Sequence, residues 1–356
     1  MNKHKVAIDV SPLYDGNSVR GVGYYTKWLV MFIQKEISSN PEFQDIQVDL
    51  ITDKNKLKQG GYDLIHYPYF EPFNLSLPLF SKTPYIISLH DLIPIEFSRH
   101  FPVGLKGTLK WNIQKQLAKR SKYILTISNY SKKVISKLLE YDSKNIFVTY
   151  LASSPLMHSR ISHDTLKTIQ EKYHLPDRFI LYVGDINWNK NIPNLVRSCL
   201  KLKYPLVIVG SAAKKEVPVH PWTKDIHWLQ HKYQLLGGDG NGRLILTGFV
   251  PDEEISAFYN LATIYCQPSF GEGFGLPPIE AMKSGCPVTA SNRGATAEIV
   301  SDSAVTFNPG SVRSISKTLR SLWINPQKRI LYSKKGVKRA GEFSWKRTAL
   351  ETLRVY

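Results

Sequence analysis

The sequence contains no paired cysteines. Cys199, Cys266 and Cys286 stand alone, without a C-x-x-C spacing, which argues against a disulfide framework or a thiolate zinc site and suits a reducing compartment. No apolar run approaches the roughly 18 uncharged residues of a membrane span. The opening MNKHKVAIDVSPLY is basic, but Asp9 interrupts a very short apolar stretch, so a first strand is expected there rather than a signal peptide, and the cytoplasm is the expected location. Internal repeats and low-complexity tracts are lacking. So is a G-x-G-x-x-G directly after a strand with an acidic residue about twenty further on, which disfavours an oxidoreductase of the dinucleotide-binding type. The glycine-rich Gly237–Arg243 lacks the Lys-Ser/Thr ending of a P-loop and reads as a flexible turn.

Acidic residues are also scarce. Against 47 Lys and Arg stand 29 Asp and Glu, a net charge of +18. Residues 1–150 hold 20 of the basic and 13 of the acidic residues, giving +7, and the remaining 27 and 16 give +11. An excess spread this evenly suits nucleic acid, an anionic membrane or a phosphorylated substrate, and equally a lysine-rich composition without function. A nucleic-acid reader would cluster its basic residues with exposed aromatics or carry a reader motif. The lysines here are dispersed, and no nucleic acid is expected.

What is present is a regular series of short apolar runs separated by helical patterns. The first half offers Val6–Val10, Ile46–Ile51, Leu64–Tyr67, Tyr85–Leu89, Tyr123–Ile127 and Ile146–Leu151. The second offers Phe179–Val183, Leu206–Val209, Leu244–Leu246, Ile264–Cys266, Pro287–Thr289 and Ala304–Phe307. Such alternation predicts parallel sheets covered by helices on both faces. Two series predict two doubly wound α/β domains, over residues 1–160 and 161–342, with ligand crevices at the carboxyl ends of the strands.

The most informative stretch is Ser269-Phe270-Gly271-Glu272-Gly273-Phe274-Gly275-Leu276-Pro277-Pro278-Ile279-Glu280-Ala281-Met282. It follows a strand end, and its prolines suit the first turn of a helix, where a missing N–H costs nothing. Three glycines allow close backbone approach, and their N–H groups with the helix N-terminus form an anion site. Glu272 and Glu280, with seven residues between them, bracket the loop. Carboxylates beside a phosphate site suit neutral hydroxyls, such as those of ribose and sugars, which an ionised carboxylate accepts in pairs.

Residues 268–288, PSFGEGFGLPPIEAMKSGCPV, closely resemble the signature of retaining glycosyltransferase family 4. The resemblance extends over essentially the whole chain and is strongest over residues 246–300. It implies the GT-B fold, two Rossmann-like domains facing across a cleft, with a last helix, 343–356, crossing back to the first domain from a cap at Ser344. It implies a nucleoside-diphosphate sugar as donor, held in the cleft mostly by the second domain, and transfer of an α-linked sugar to an acceptor hydroxyl. Glu280 is then expected on the ribose and Glu272 on the donor sugar, with Gly273, Phe274, Gly275 and Leu276 in the donor-binding loop. The leaving diphosphate is the expected base. No D-x-D triplet occurs anywhere, so neither a bridging metal nor another cofactor is indicated.

The same resemblance assigns further residues. His90, in Leu89-His90-Asp91 at a strand end, corresponds to a histidine that touches the donor sugar, and Asp91 reads as a turn cap. Gly21 and Gly23 match a glycine loop that opens the first long helix. Gly184 ends a strand, and Lys190 stands before a helix, where its ammonium can meet the diphosphate. Many family members also carry an arginine directly after that glycine or directly before that lysine; here Asp185 and Asn189 hold those places. Arg293 is a candidate substitute, its alternative being a solvated surface arginine. Residues 99–122 contain seven Lys or Arg and no acid, with Leu105, Leu109, Ile113 and Leu117 every four residues. They read either as a basic amphipathic helix on an anionic membrane facing a lipid-linked acceptor, or as a covering helix whose leucines pack on the sheet. Cell-surface polysaccharide or glycolipid synthesis is the expected setting, on the cytoplasmic membrane face.

Overall fold

A computed structural model of the protein describes residues 3–16, 21–58, 60–157, 160–238 and 242–356. Residue 20, before the first glycine pair, and residues 239–241 of the glycine turn lie outside them. The chain divides into two compact units. One comprises Met1–Ser98, Val103–Leu151 and Ser344–Tyr356, the other Arg99–Pro102 and Ala152–Phe343.

The first unit runs β1 (His4–Asp9), α1 (Gly21–Ser39), β2 (Ile46–Ile51), α2 (Lys54–Lys58), β3 (Leu64–Tyr67), β4 (Tyr85–Ser88), α3 (Ile93–Glu96), α4 (Gly104–Lys119), β5 (Tyr123–Thr126), α5 (Asn129–Leu139) and β6 (Ile146–Val148). The second runs α6 (His163–Lys172), β7 (Ile180–Val183), α7 (Ile192–Leu202), β8 (Leu206–Val209), α8 (Lys224–Leu235), β9 (Leu244–Gly248), α9 (Asp252–Leu261), β10 (Ile264–Gln267), α10 (Leu276–Lys283), β11 (Val288–Ser291), α11 (Gly294–Val300), β12 (Val305–Phe307), α12 (Val312–Trp323) and α13 (Pro326–Ala340). A final helix, α14 (Trp345–Leu353), belongs to the first unit.

Each unit holds one six-stranded sheet, ordered β2-β1-β3-β4-β5-β6 in the first and β12-β11-β10-β7-β8-β9 in the second, and every strand pair is parallel. Parallel sheets bury both faces, which is why runs such as Leu206-Val207-Ile208-Val209 are apolar throughout and buried at every position. In the second unit Ile180, Leu206, Ile208, Leu244 and Ile264 pack with Leu195 and Val196 of α7 and Ile315, Leu319 and Leu322 of α12. Burial of each such side chain contributes about 1.5–3 kcal/mol.

Helix ends follow local chemistry. The hydroxyl of Ser128 accepts from Ser131 N at 3.0 Å to cap α5, and that of Ser344 accepts from Arg347 N at 3.2 Å to cap α14. Within the first unit α14 packs on α1, with the Trp345 ring edge-on to Tyr24 at 6.0 Å and the Thr348 hydroxyl donating to Tyr150 O at 2.5 Å. Asp91 caps its turn, accepting from Ile93 N at 3.0 Å.

The leucine pattern of residues 99–122 resolves differently from either sequence expectation. Leu117 is 3% exposed and Ile113 packs with it against the first-unit core, but Leu105 and Leu109 are 91% and 62% exposed. One stripe has become two, a packed C-terminal half and an open N-terminal half.

One close approach in the second unit requires glycine. A Cβ built on Gly210, after β8, would stand 2.3 Å from Gly184 O, after β7. Gly210→Ala is therefore expected to lower stability by about 1–3 kcal/mol, the usual cost of overpacking. Denaturant unfolding measures it, and a change within about 0.5 kcal/mol, the range of neutral surface substitutions, would show that the two loops are free to separate.

Candidate active site

Open parallel sheets bind ligands at carboxyl strand ends, where the strand order reverses. In the second unit that reversal lies between β7 and β10, which are direct neighbours, with Ile264 opposite Ile180 and Tyr265 opposite Leu181. The loop after β7 carries Gly184 and Lys190. The loop after β10 carries Glu272 to Gly275.

These two loops are joined by side chains. Lys190 Nζ donates to both carboxylate oxygens of Glu272, at 2.9 and 2.8 Å. Glu272 Oε1 also accepts from Gln267 Nε2 at 2.8 Å and from the Ser269 hydroxyl at 2.7 Å. Gln267 is in turn bonded to the Tyr265 hydroxyl. The lysine side chain is 21% exposed and the carboxylate 7%, so the pair sits at the lip of the loop with the carboxylate inside.

Asn189, which stands where many family members have arginine, adds no cation. Its side chain is buried and donates to Gly271 O at 2.9 Å, while its carbonyl accepts from Phe270 N at 2.7 Å. Asn191 adopts a left-handed backbone, φ 57°, just before α7, and its Nδ2 donates to Pro268 O at 2.9 Å and to Pro309 O at 2.8 Å. Trp188 stacks on Phe270 with centroids 4.9 Å apart. The segment before α7 thus holds the Glu272 loop by backbone contacts, and Lys190 is presented from a rigid support.

Gly275 precedes α10 with φ 99°, a conformation that side chains rarely adopt. Leu276 is the first residue of α10, and Pro277 and Pro278, which carry no N–H, follow it in the first turn, so Gly275 and Leu276 supply the backbone donors at this end. Phe274 stands in the same loop, just before Gly275. Its ring is 3% exposed and packs edge-on against Phe343 at 5.7 Å, so it anchors the loop and leaves only backbone for a donor. Gly273, beside it, is buried as well.

Glu280 lies one turn into α10 and accepts from the Tyr259 hydroxyl of α9 at 3.0 Å. Burial, opposed by that hydrogen bond and reinforced by Asp252, pushes its carboxyl up to about 7. The residue as a whole keeps some exposed surface, while its carboxyl is desolvated. Arg293, after β11, is exposed and its N–H donates to the Ser291 hydroxyl at 3.2 Å; the side chain joins neither glutamate.

In the first unit His90 follows β4. Its ring meets the Tyr25 ring edge-on at 4.5 Å, and its Nε2 is buried with no hydrogen-bond partner. Burial depresses its pKa to about 4, so the imidazole is neutral near pH 7. Tyr25 bonds to Ser88 Oγ at 2.8 Å, Ser88 to His66 Nε2 at 2.7 Å, and His66 Nδ1 to the Tyr356 hydroxyl at 2.7 Å. Gly21 and Gly23 fall in the first turn of α1, the helix that carries Tyr25.

Residues 4–152 match the model described as Glycosyltransferase Family 4, and residues 167–339 match the one described as Glycosyl transferases group 1. The chain belongs to glycosyltransferase family 4. This glycosyltransferase is 29% identical over 279 residues to O-antigen chain mannosyltransferase B of Escherichia coli, covering 76% of the chain and 69% of that protein. It is 30% identical over 194 residues to the serotype-specific mannosyltransferase WbdA of Escherichia coli, covering 53% of the chain but 23% of that protein. Among solved structures, sucrose-phosphate synthase of Thermosynechococcus elongatus superposes with a TM-score of 0.75 at 17% identity, covering 99% of this chain and 98% of that one. Anabaena HepE in complex with UDP-glucose gives 0.74 at 17%, covering 99% of each chain. The likeness shows the GT-B fold.

Of the sequence-derived candidates, the structure brings Lys190 and Glu272 into contact, places Glu280 on the adjoining helix, and leaves Arg293 outside their hydrogen bonds. Sequence reading missed Gln267, Ser269, Asn191 and Tyr259 as parts of the site. Asn189 was signalled by standing where an arginine was expected, and Asn191 as the start of the following helix.

The raised Glu280 pKa has a consequence for this glycosyltransferase before any ligand binds. The folded state holds the proton more tightly than the unfolded chain, so the stabilisation is complete below pH 4.5 and is lost as pH rises through about 7. Glu280→Gln should therefore match the parent near pH 4.5 and exceed it at pH 8 by about 2 kcal/mol, discounted from the full linkage for partial exposure. Unfolding curves at the two pH values test this. A constant difference between them would remove the buried-carboxyl assignment.

Proposed function

We propose that the protein is a retaining hexosyltransferase that moves a sugar from a nucleoside diphosphate to an acceptor hydroxyl during synthesis of a cell-surface polysaccharide or glycolipid. The observation that carries this reading is the contact of Lys190 with Glu272 at the mouth of the α10 N-terminus, with the Glu280 carboxyl one turn further along. The mannosyltransferase relatives of O-antigen synthesis favour mannose as the sugar and a growing polysaccharide as the acceptor. A structural neighbour solved with UDP-glucose supports a nucleotide-sugar donor.

In this mechanism the ionised Glu280 accepts the ribose hydroxyls. Lys190 turns from Glu272 to the diphosphate, and the N–H groups at the start of α10 share that charge. Glu272, released, accepts hydroxyls of the donor sugar. The bond from the anomeric carbon to the diphosphate oxygen breaks, and the acceptor oxygen bonds to that carbon on the same face. The acceptor proton passes to the departing diphosphate, whose negative charge Lys190 stabilises. His90, neutral at this pH, serves as a hydrogen-bonding contact for the sugar, and Gly21 and Gly23 leave space where α1 begins. Gly184 keeps the β7 loop open. Arg293 is a reserve cation for the diphosphate. No metal or other cofactor takes part in this scheme.

The roles separate by substitution. Lys190→Ala should weaken nucleoside diphosphate binding by about 1.5–3 kcal/mol while leaving nucleoside binding nearly unchanged. Glu280→Ala should weaken both. Glu272→Ala should reduce kcat far more than diphosphate affinity, as expected of a transition-state contact. Calorimetry with nucleoside and diphosphate, beside steady-state turnover, reads all three. Full diphosphate affinity in Lys190→Ala would transfer the role to Arg293, and equal losses of turnover and affinity in Glu272→Ala would remove its sugar contact.

The open half of α4 supports a peripheral location on the cytoplasmic membrane face. Leu105 and Leu109 stand exposed among Lys106 and Lys110, with no acidic residue in the segment. If half of the seven basic residues reach an anionic surface, at near 1 kcal/mol each, the attraction is about 3–4 kcal/mol. Co-sedimentation should be strong with anionic vesicles at low salt, weak at high salt, and reduced by Leu105→Ser together with Leu109→Ser. Equal, negligible pelleting with anionic and neutral vesicles would favour a soluble acceptor.

A further inference from the structure

The second unit has another concavity, about 590 Å³, away from the carboxyl edge of its sheet. Thr263 and Pro287, which lead into β10 and β11, line it at the opposite edge, together with Ser284 and Ser333. Arg178, shortly before β7, and Arg329, on α13, also line it. Both guanidinium groups donate to the carboxyl end of α12. Arg178 Nη2 reaches Trp323 O at 2.5 Å, and Arg329 Nη1 reaches Leu322 O and Trp323 O at 2.8 Å each. Because they share the Trp323 oxygen, two positive groups are held side by side.

That arrangement lacks a counter-charge. The end of a helix offers about half an elementary negative charge, against two whole positive ones. No Asp or Glu lines the cavity, and among the described residues neither arginine forms an ion pair. Burial and the neighbouring Arg178 hold the Arg329 pKa below its ordinary value. Ser284 is 3% exposed, and its hydroxyl has no hydrogen-bond partner. Each guanidinium keeps further N–H donors beyond those given to the carbonyls, in the planar fork that matches phosphate oxygens. The volume exceeds that of a bare phosphate ion and lies in the range of small-ligand sites.

We propose that this cavity is a second ligand site, selective for a phosphate group and independent of the site at Lys190. The phosphate belongs either to a soluble compound, such as pyrophosphate or a hexose phosphate, or to a lipid headgroup. The same helix, α13, exposes Ile330, Leu331 and Val337, with Val337 on the cavity wall, which is why the headgroup must be tested alongside the soluble compound.

The full chain is titrated calorimetrically with inorganic pyrophosphate and with glucose 6-phosphate at low salt, and pelleted with phosphatidylcholine vesicles with and without phosphatidate. Four proteins are compared: the parent, Lys190→Ala, and Lys190→Ala carrying either Arg178→Gln with Arg329→Gln or Ser284→Asp. A soluble-phosphate isotherm should persist in Lys190→Ala, and in that background either cavity change should weaken it at least about tenfold, as expected for charge-assisted contacts. Arg329 also supports the end of α12, so the double variant risks misfolding. Ser284→Asp leaves both arginines on their carbonyls and sets a carboxylate into the same cavity, so it keeps the test decisive. Phosphatidate-dependent pelleting that is lost in Ser284→Asp, when Leu105→Ser and Leu109→Ser are present throughout to remove the contribution of α4, without soluble binding, would identify the ligand as a headgroup. If Ser284→Asp and the arginine pair alter neither soluble binding nor pelleting, the proposal is overturned. An isotherm identical in the parent and Lys190→Ala would instead count against Lys190 as a phosphate contact and leave this cavity unaffected.

Discussion

The constraint on which the active site depends is the ion pair between Lys190 and Glu272. A carboxylate 7% exposed is tolerable only if its lost hydration is replaced. Here an ammonium spans both oxygens, and Gln267 and Ser269 supply two further donors. That requirement fixes the loop after β7 against the loop after β10, and the backbone contacts of Asn189 and Asn191 hold the two in register. An arginine at position 189 would bring a second cation to the diphosphate. Asparagine instead gives its amide to Gly271 O, and among the described residues Lys190 is the cation paired with Glu272. In the proposed mechanism Lys190 therefore exchanges one anion for another, and donor binding and release of Glu272 become one event.

The two glutamates show how similar groups acquire different roles from their surroundings. Glu272 has a cation and several donors. Glu280 has one tyrosine hydroxyl and a desolvated pocket, and its carboxyl rises to about 7. Hydrogen bonds from ribose hydroxyls would favour the ionised form. In the proposed mechanism nucleotide binding and proton release are linked at Glu280, whereas at Lys190 the exchange is between two anionic partners, Glu272 and the diphosphate. A group poised near neutrality is well placed to respond to ligand, and the α10 turn puts it close to the loop that holds the other.

Much of this was legible in the sequence because the informative signals are apolar and repetitive. All twelve strands lie within or next to runs such as Leu206–Val209 and Tyr85–Leu89, since a strand buried on both faces has no reason to alternate. The glycine, proline and glutamate spacing around Gly275 was legible for a related reason: a left-handed residue, a helix start and two carboxylates each demand particular residue types. Gln267, Ser269 and Tyr259 left no such trace. A buried amide or hydroxyl fits many contexts, and its partner is fixed only by tertiary contact. The direction of the Phe274 side chain left no trace either. The residue sits inside the motif, but one residue from a tight turn its side chain faces the core, where Phe343 meets it.

The leucines of α4 show a limit of periodicity itself. Residues four apart on a helix do not lie in one line, because four steps of about 100° overshoot a full turn by about 40°. Between position 105 and position 117 the row therefore drifts through about 120°, a third of the circumference. A helix lying on a sheet can keep only part of such a row in contact. The contact is made where Leu117 and Ile113 face the core beside Ala118, and by Leu105 the row has turned to solvent. Neither sequence expectation, a wholly packed face or a wholly open one, allowed for that drift. The exposed leucines are thus no defect of packing. They are the geometric result of writing apolar residues every fourth position, and lysines at 106 and 110 make that open end basic. A helix that had only to cover the sheet would place its apolar residues at alternating spacings of three and four. The strict spacing of four is what gives α4 two faces, one packed on the core and one open and basic.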